Sequence, residues 1–369
     1  MRQYETGDHG MRKAFSIVAL ILMVALLMGC TSSTEDGSGE STDKTDKNTE
    51  ETTAKADEKP FYDGKTIKLI VSTKPGGGYD TYGRMVAKFM EEQLPGSTIV
   101  VKNMPGAGHI IGCNEIYKSE PDGLTFGTFN RALPLAQIAG LEGVEYDLSE
   151  MSWLGSPSSE SYSLIISSES EYSSLDDIVK AGGDVILASS GVGSQAHVTS
   201  LLFADMMGWD KMNLVSGYNG NESELAMRKG EIDGLFASWG SLQSFVEEGY
   251  GVPVLFIGEQ APEGYEDVPL IQDVVTDEQW TPVVNVMLTL NVLARPYAGP
   301  PGIPEDRLSI LRDAFEKAVN DPAFVEMGDK LGRPVIYIGP ERAQELISGL
   351  ADLSPATVDK IKSTYTGDE

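Results

Sequence analysis

Apolar runs of strand length in this chain end repeatedly in glycine-rich turns that lead into amphipathic helices. The sharpest case is Lys74-Pro75-Gly76-Gly77-Gly78-Tyr79-Asp80. Before it runs Ile67-Lys68-Leu69-Ile70-Val71-Ser72. After it, Tyr82, Met85, Val86, Phe89 and Met90 fall on one face of a helix. Glycine admits positive φ and lets another group come close to the backbone. The helix start that follows has unpaired N–H groups and the positive end of the helix dipole. Strand, bare turn and helix N-terminus together predict a pocket for a carboxylate or phosphate. The same residues also suit an ordinary tight turn.

The pattern continues along the chain. Thr98–Lys102 reads as a strand, Asn103–His109 as a second glycine turn, and 110–118 as a helix. Leu124–Thr128 and Leu164–Ile166 read as strands, and Ser174 as the cap of a short helix. Val185–Ala188 runs into Ser189-Ser190-Gly191-Val192-Gly193-Ser194-Gln195-Ala196-His197 and another helix. Asn213–Ser216 meets Gly217-Tyr218-Asn219-Gly220-Asn221. Ile232–Ala237 and Val254–Ile257 follow as strands. Val283–Ala294 is an apolar run long enough to carry the chain back between domains. Then come a helix opened by Pro304-Glu305-Asp306, a strand at Val335–Ile338 and a closing helix to Leu350. Strands alternating with helices predict an α/β fold with mostly parallel sheets. Ligands then bind in crevices at the carboxyl ends of the strands.

The N-terminus reads as a targeting segment. Arg12 and Lys13 precede an apolar run from Ala14 to Met28, too short for a firm membrane span. Leu26-Leu27-Met28-Gly29-Cys30 resembles a bacterial lipobox. That resemblance implies a signal peptide over residues 1–29, with Met11 as a candidate true start, and a lipid on Cys30. The chain would then be exported and anchored to the outer face of the cell membrane. Residues 30–60 are polar and read as a disordered tether. With Cys30 lipidated, Cys113 has no disulfide partner and reads as a buried small residue. A formal net charge of −28 argues against nucleic acid. The three histidines and two cysteines form no metal-spaced cluster. Gly191-Val192-Gly193-Ser194 lacks the final glycine of a nucleophile elbow, and Gly64-Lys65-Thr66 precedes a strand rather than opening a helix. The chain therefore reads as a binding protein rather than an enzyme, with no cofactor and no metal.

Taken in order, Lys74–Asp80, Val100–Gly108, Pro121-Asp122-Gly123-Leu124-Thr125, and Ala188–Ser194 with His197 resemble the substrate-binding receptors of tripartite tricarboxylate transporters. Gly217-Tyr218-Asn219-Gly220, Gly230-Glu231-Ile232-Asp233 and Ala298–Pro304 extend the resemblance, which covers about residues 64 to 350. It implies a type II periplasmic-binding-protein-like fold, with lobe 1 over 64–163 and 285–369 and lobe 2 over 164–284. It further implies a monomeric receptor that closes on a small di- or tricarboxylate and delivers it to separate membrane permease subunits. Carried over residue by residue, the contacts fall on Gly76, Gly77, Gly78, Tyr79, Asp80, Ala107, Gly108 and His109 in lobe 1. In lobe 2 they fall on Ser190, Gly191, Gly193, Ser194, His197, Tyr218 and Gly220. Tyr79 stands where the family mostly has Ser or Thr, and His109 where a further glycine is usual. Met104 and Ala237 also depart from common family residues.

Several residues keep two readings. Asp80 either caps its helix or meets ligand. His197 either donates to a carboxylate or packs. Trp239 lines the cleft or sits in the core, while Tyr218, between glycines, reads as cleft lining. A solute sensor feeding a membrane kinase would share this fold, and an extracellular enzyme would reuse the same anion-binding turns.

Overall fold

The computed structural model describes residues 59–218 and 220–366. The targeting segment, Cys30 and nearly all of the tether lie outside the described residues.

The first lobe begins with β1 (Thr66–Val71), α1 (Gly78–Gln93), β2 (Thr98–Asn103), α2 (Ile110–Tyr117), β3 (Thr125–Thr128), α3 (Leu133–Ala139) and β4 (Ser152–Gly155). Residues 156–161 cross over. The second lobe holds β5 (Tyr162–Ser167), α4 (Leu175–Lys180), β6 (Ile186–Ser189), α5 (Gln195–Met207), β7 (Asn213–Ser216), α6 (Asn221–Arg228), β8 (Gly234–Ser238), α7 (Trp239–Glu247), β9 (Gly251–Ile257), α8 (Ile271–Val274) and α9 (Thr281–Val292). Residues 293–296 return to β10 (Tyr297–Gly299), α10 (Glu305–Val319), α11 (Pro322–Lys330), α12 (Pro340–Gly349) and α13 (Pro355–Thr366).

Each lobe is built on one five-stranded sheet, in the orders β2-β1-β3-β10-β4 and β7-β6-β8-β5-β9. The strands joined by helical crossovers are parallel: β1 with β2 and β3, and β6 with β7 and β8. The first strand after each crossing, β5 or β10, enters antiparallel to both its neighbours. The sheets are therefore mixed, because a strand arriving from the other lobe enters from the opposite end. All six residues of β5 are buried, as an inner strand covered on both faces requires.

The helices follow their apolar faces. On α1, Met85, Val86, Phe89 and Met90 pack with Ile67 and Leu69 of β1 and with Leu311 and Phe315 of α10. Val283–Ala294, expected to carry the chain back between domains, instead forms most of α9, and the crossing begins only at residue 293. That helix is apolar nearly all round because β9, α8 and α13 surround it. Val335–Ile338 forms no strand. Ile338 bridges Ser156, and the Ile336 N–H donates to the Pro157 carbonyl at 3.1 Å. Pro157 has no N–H to return, so a ladder cannot grow. Helix α13 packs on α3 of the first lobe and on α5 and α9 of the second, where Thr364 Oγ1 donates to Asp205 at 2.8 Å. Cys113 is fully buried and free. No described helix is long and apolar enough to cross a membrane.

Candidate functional site

The carboxyl ends of β1, β6 and β8 face one cleft. A cavity of about 170 Å³ opens there between the lobes. On the same measure a single water needs roughly 10–15 Å³, so the space suits a small organic molecule. A second cavity of about 190 Å³ shares Thr73, His109 and Ser190 with the first.

The glycine turns take the places their sequence implies. Gly76, Gly77, Gly78, Tyr79, His109, Ser190, Tyr218 and Gly220 line the first cavity. Ala107, Gly108 and Gly191 line the second, together with His109 and Ser190. The N-termini of α1 and α6 meet across the cleft. Gly220 has φ 51°, and a Cβ there would stand 3.5 Å from Gly77 Cα. At Gly108 the lobes touch backbone to backbone, since a Cβ would fall 2.1 Å from the Val192 carbonyl oxygen.

Four of the expected contacts line neither cavity. Asp80 turns back on its own turn. Its carboxylate accepts from the Gly76 N–H at 2.9 Å and from Asn103 Nδ2 at 2.8 Å, and it forms a two-pronged pair with Arg84 at 2.9 and 3.0 Å. Burial alone would raise its pKa, but these donors outweigh burial and hold it below the usual carboxylate value. Asp80 thus fixes the glycine turn. Ser194 caps α5 by accepting from the His197 N–H at 3.4 Å. Gly193 shapes that turn at φ 79°. The His197 ring is half-buried, and burial lowers its pKa. Trp239 lies in the core, edge-on to Phe256 and Tyr265.

His109 holds a left-handed backbone, φ 85°, beside Ala107 at φ 44°. A glycine would adopt either conformation without strain. The ring is anchored by Nδ1, which lies 3.0 Å from the Ser72 carbonyl oxygen. Nδ1 therefore carries the proton and Nε2 is left as an acceptor. Burial pushes the imidazole pKa down to about 4, so the ring is neutral at pH 7.

Beneath the glycine turns lies a cluster of charges, none of them among the residues the sequence pattern singles out. Arg295, on the second crossing, is fully buried and pairs with Glu160, on the first crossing, at 2.8 Å. Its Nη1 donates to Ser238 Oγ at 3.0 Å and its Nη2 to Ser241 Oγ at 3.3 Å. The Tyr79 ring lies over the guanidinium at 4.7 Å. Gly78 makes the approach possible: a Cβ there would be 2.9 Å from Arg295 Nη2. Burial disfavours the charge on Arg295, but Glu160 together with Tyr79, Tyr82 and Tyr162 outweighs it, and the pKa stays raised. Arg131, just past β3, is also buried. Its Nε donates to Gln195 Oε1 at 2.6 Å and its Nη1 to the Glu160 carbonyl at 3.2 Å, while Nη2 reaches Ser238 Oγ. It therefore links the first lobe to the second. Ser238 accepts from both arginines instead of capping α7, and the Glu160 carboxylate takes the Gly240 N–H at 2.9 Å in its place. Arg333 lines the cavity from the first lobe, held by the Gly240 and Gly332 carbonyls.

The family described as the tripartite tricarboxylate transporter family receptor matches residues 83–361. The chain belongs to it. It is a receptor of that family and not an enzyme. Protein BugT of Bordetella pertussis is 32% identical over 151 residues, covering 38% of this chain and 45% of that protein. A UPF0065 protein of the same species is 23% identical over 319 residues, covering 85% of this chain and 87% of that one. Among solved structures, periplasmic binding protein BugD superposes with a TM-score of 0.69 at 17% identity, covering 82% of this chain and 98% of BugD. MatC from Rhodopseudomonas palustris with bound malate gives 0.66 at 17%, covering 82% and 99%. The R. palustris protein Rpa4515 with adipate also gives 0.66 at 17%, covering 82% and 97%. The fold is the two-lobed type II arrangement of periplasmic binding proteins.

Proposed function

We propose that this receptor works outside the cytoplasm, closes its lobes on a small organic acid and passes it to a tripartite tricarboxylate-type permease. The observation that carries this reading is the make-up of the cavity wall. Backbone turns at the N-termini of α1 and α6 meet over it, and Arg295 and Arg333 stand in it. Both kinds of group favour an anion. Because the two lobes each supply part of the wall, an anion touches both only when they are closed, so binding stabilises closure. Solved relatives of the same fold hold malate and adipate, which agrees in ligand chemistry. Export, lipidation of Cys30 and a monomeric state complete the proposal.

Native mass spectrometry of the chain from about residue 60, followed by thermal-shift screening with mono-, di- and tricarboxylates and amino acids, tests the reading. A co-purifying acid, or one that raises Tm by several degrees through mass action, is expected. No bound acid and no shift with any of them would overturn it. For the anchor, Cys30→Ser in the full chain should move the protein from the membrane to the soluble fraction.

A further inference from the structure

We propose that the His109 ring is a fixed partition across the interlobe space and so sets the length of the acid this receptor accepts. This rests on the receptor reading above.

The space between the lobes holds two cavities of similar size, about 170 and 190 Å³. Thr73, His109 and Ser190 belong to both linings. The His109 ring stands between residues that each face one of the two cavities alone. On one side is Tyr79, which lines the first, with its ring centroid 5.9 Å away. On the other is Ser72, which lines the second. Nδ1 donates to the Ser72 carbonyl oxygen at 3.0 Å and lies 3.3 Å from Ser72 Oγ. A buried ring anchored in this way does not swing aside as an exposed side chain would.

The backbone points the same way. His109 holds φ 85°, a strained conformation for a residue with a side chain, and such strain gathers where ligand sites are shaped. A glycine would hold the same turn without strain and without a ring. The two cavities would then run together and roughly double the space. The partition therefore belongs to this side chain and not to the fold.

The space behind the ring is polar. Ser72, Thr73 and Ser190 bring hydroxyls to it. Thr73 Oγ1, on the boundary, is buried and has no hydrogen-bond partner among the described residues. Gly108 and Val192 line the same space from opposite lobes, at the point where the two backbones meet. Joined to the first cavity, it would take the far carboxylate of a long diacid, which accepts hydrogen bonds from hydroxyls. With the ring in place, the chain of such an acid meets the imidazole instead.

The test is isothermal titration of the receptor with the straight-chain diacids succinate, glutarate, adipate, pimelate and suberate. In the wild type, affinity should fall by about tenfold or more at one chain length, the usual discrimination against one methylene too many in a fitted pocket. His109→Gly should move that cut-off to longer acids and raise the affinity of suberate relative to succinate by about tenfold or more. His109→Asn, with a smaller side chain that tolerates φ > 0, should move it less. A crystal structure of His109→Gly with suberate should show the acid passing residue 109 and reaching Ser72. A ring that only steadies the fold would change every affinity by one common factor and leave the ratios as they were. That result overturns the proposal, as does a wild type that binds suberate as tightly as succinate. Either result leaves the receptor reading standing, whereas binding of none of these acids by wild type or variant removes both.

Discussion

The cleft has two walls built on different physics. The upper wall is backbone: glycine turns and helix starts, whose N–H groups attract an anion without any side-chain charge. The lower wall is charge: Arg131, Arg295 and Glu160 buried where the two crossings meet. The backbone wall is sensitive to added atoms where the lobes touch, because a Cβ at Gly108 would fill space that the other lobe occupies. The charged wall is sensitive to removed atoms, because each partner neutralises another. The glycine wall can thus select and close, while the arginine cluster holds the crossings in register.

The largest effect should come from breaking the charged wall. Arg295→Ala leaves Glu160 buried without its cation, a loss of roughly 3–5 kcal/mol in similar pairs. Denaturant unfolding should show that loss, and the double change Arg295→Met with Glu160→Met should recover most of it. If Arg295→Ala unfolds like the wild type, the crossings do not depend on this pair.

His109 sits at the junction of the walls and gives a pH signature. Its folded pKa, about 4, lies below the ordinary 6.5. The unfolded chain therefore binds the extra proton first as pH falls. The stability from the neutral ring is complete above pH 6.5 and is lost as pH drops toward 4. The loss amounts to about 3 kcal/mol at most. Unfolding at pH 7.5 and 4.5 should show His109→Asn losing less than the wild type, since asparagine tolerates φ > 0 and does not titrate. Parallel acid losses in the two proteins would remove His109 as the cause.

The glycine wall is broken by addition. Gly108→Ala places a Cβ 2.1 Å from the Val192 carbonyl oxygen of the other lobe. Gly249→Ala is the control: its φ of 82° is equally left-handed, but the Cβ meets open space. Both should lose about 1 kcal/mol of stability from backbone strain. Only Gly108→Ala should weaken ligand binding, by about ten- to hundredfold, because it holds the lobes apart. Equal affinities in the two variants would sink the view that lobe contact at Gly108 belongs to closure.

The two walls were not equally legible in the sequence. Glycine turns announce themselves because a strand, a glycine cluster and a 3.6-residue period fall in order, so Gly76–Tyr79 and Ser190–Gly191 could be placed on the cleft from the chain alone. Asp80 shows the limit of that reading: its position was clear, but its direction depended on Arg84 and Asn103, which only the fold brings to it. Arg131, Arg295 and Glu160 are single charges on connecting segments, far apart in the chain, and no period marks them. A signal did exist for the arginines. Each interrupts an apolar stretch, Phe129-Asn130-Arg131-Ala132-Leu133 and Leu293-Ala294-Arg295-Pro296-Tyr297. Charges are almost never buried without a partner, so a lone arginine in such a run points to a buried pair. Glu160, among serines, carried no such mark. The strand expected at Val335–Ile338 failed for a local reason, the missing N–H of Pro157, which alternation in the segment itself cannot reveal.

The finest test separates the walls at the residue that belongs to both. Tyr79 opens α1 within the glycine turn, its hydroxyl accepts from the Arg131 N–H at 3.2 Å, and its ring covers Arg295. Tyr79→Phe removes only the hydroxyl, so stability should fall by about 1 kcal/mol, the net value of one such bond, with affinity nearly unchanged. Tyr79→Ser removes the ring as well. It should lose a further ~1 kcal/mol of cation–π contact and open the cavity toward Arg295. If the ring's task is to shield Arg295 from ligand, Tyr79→Ser should bind longer diacids better while Tyr79→Phe does not. If both variants bind alike, the ring belongs to the charged wall alone and plays no part in choosing the ligand.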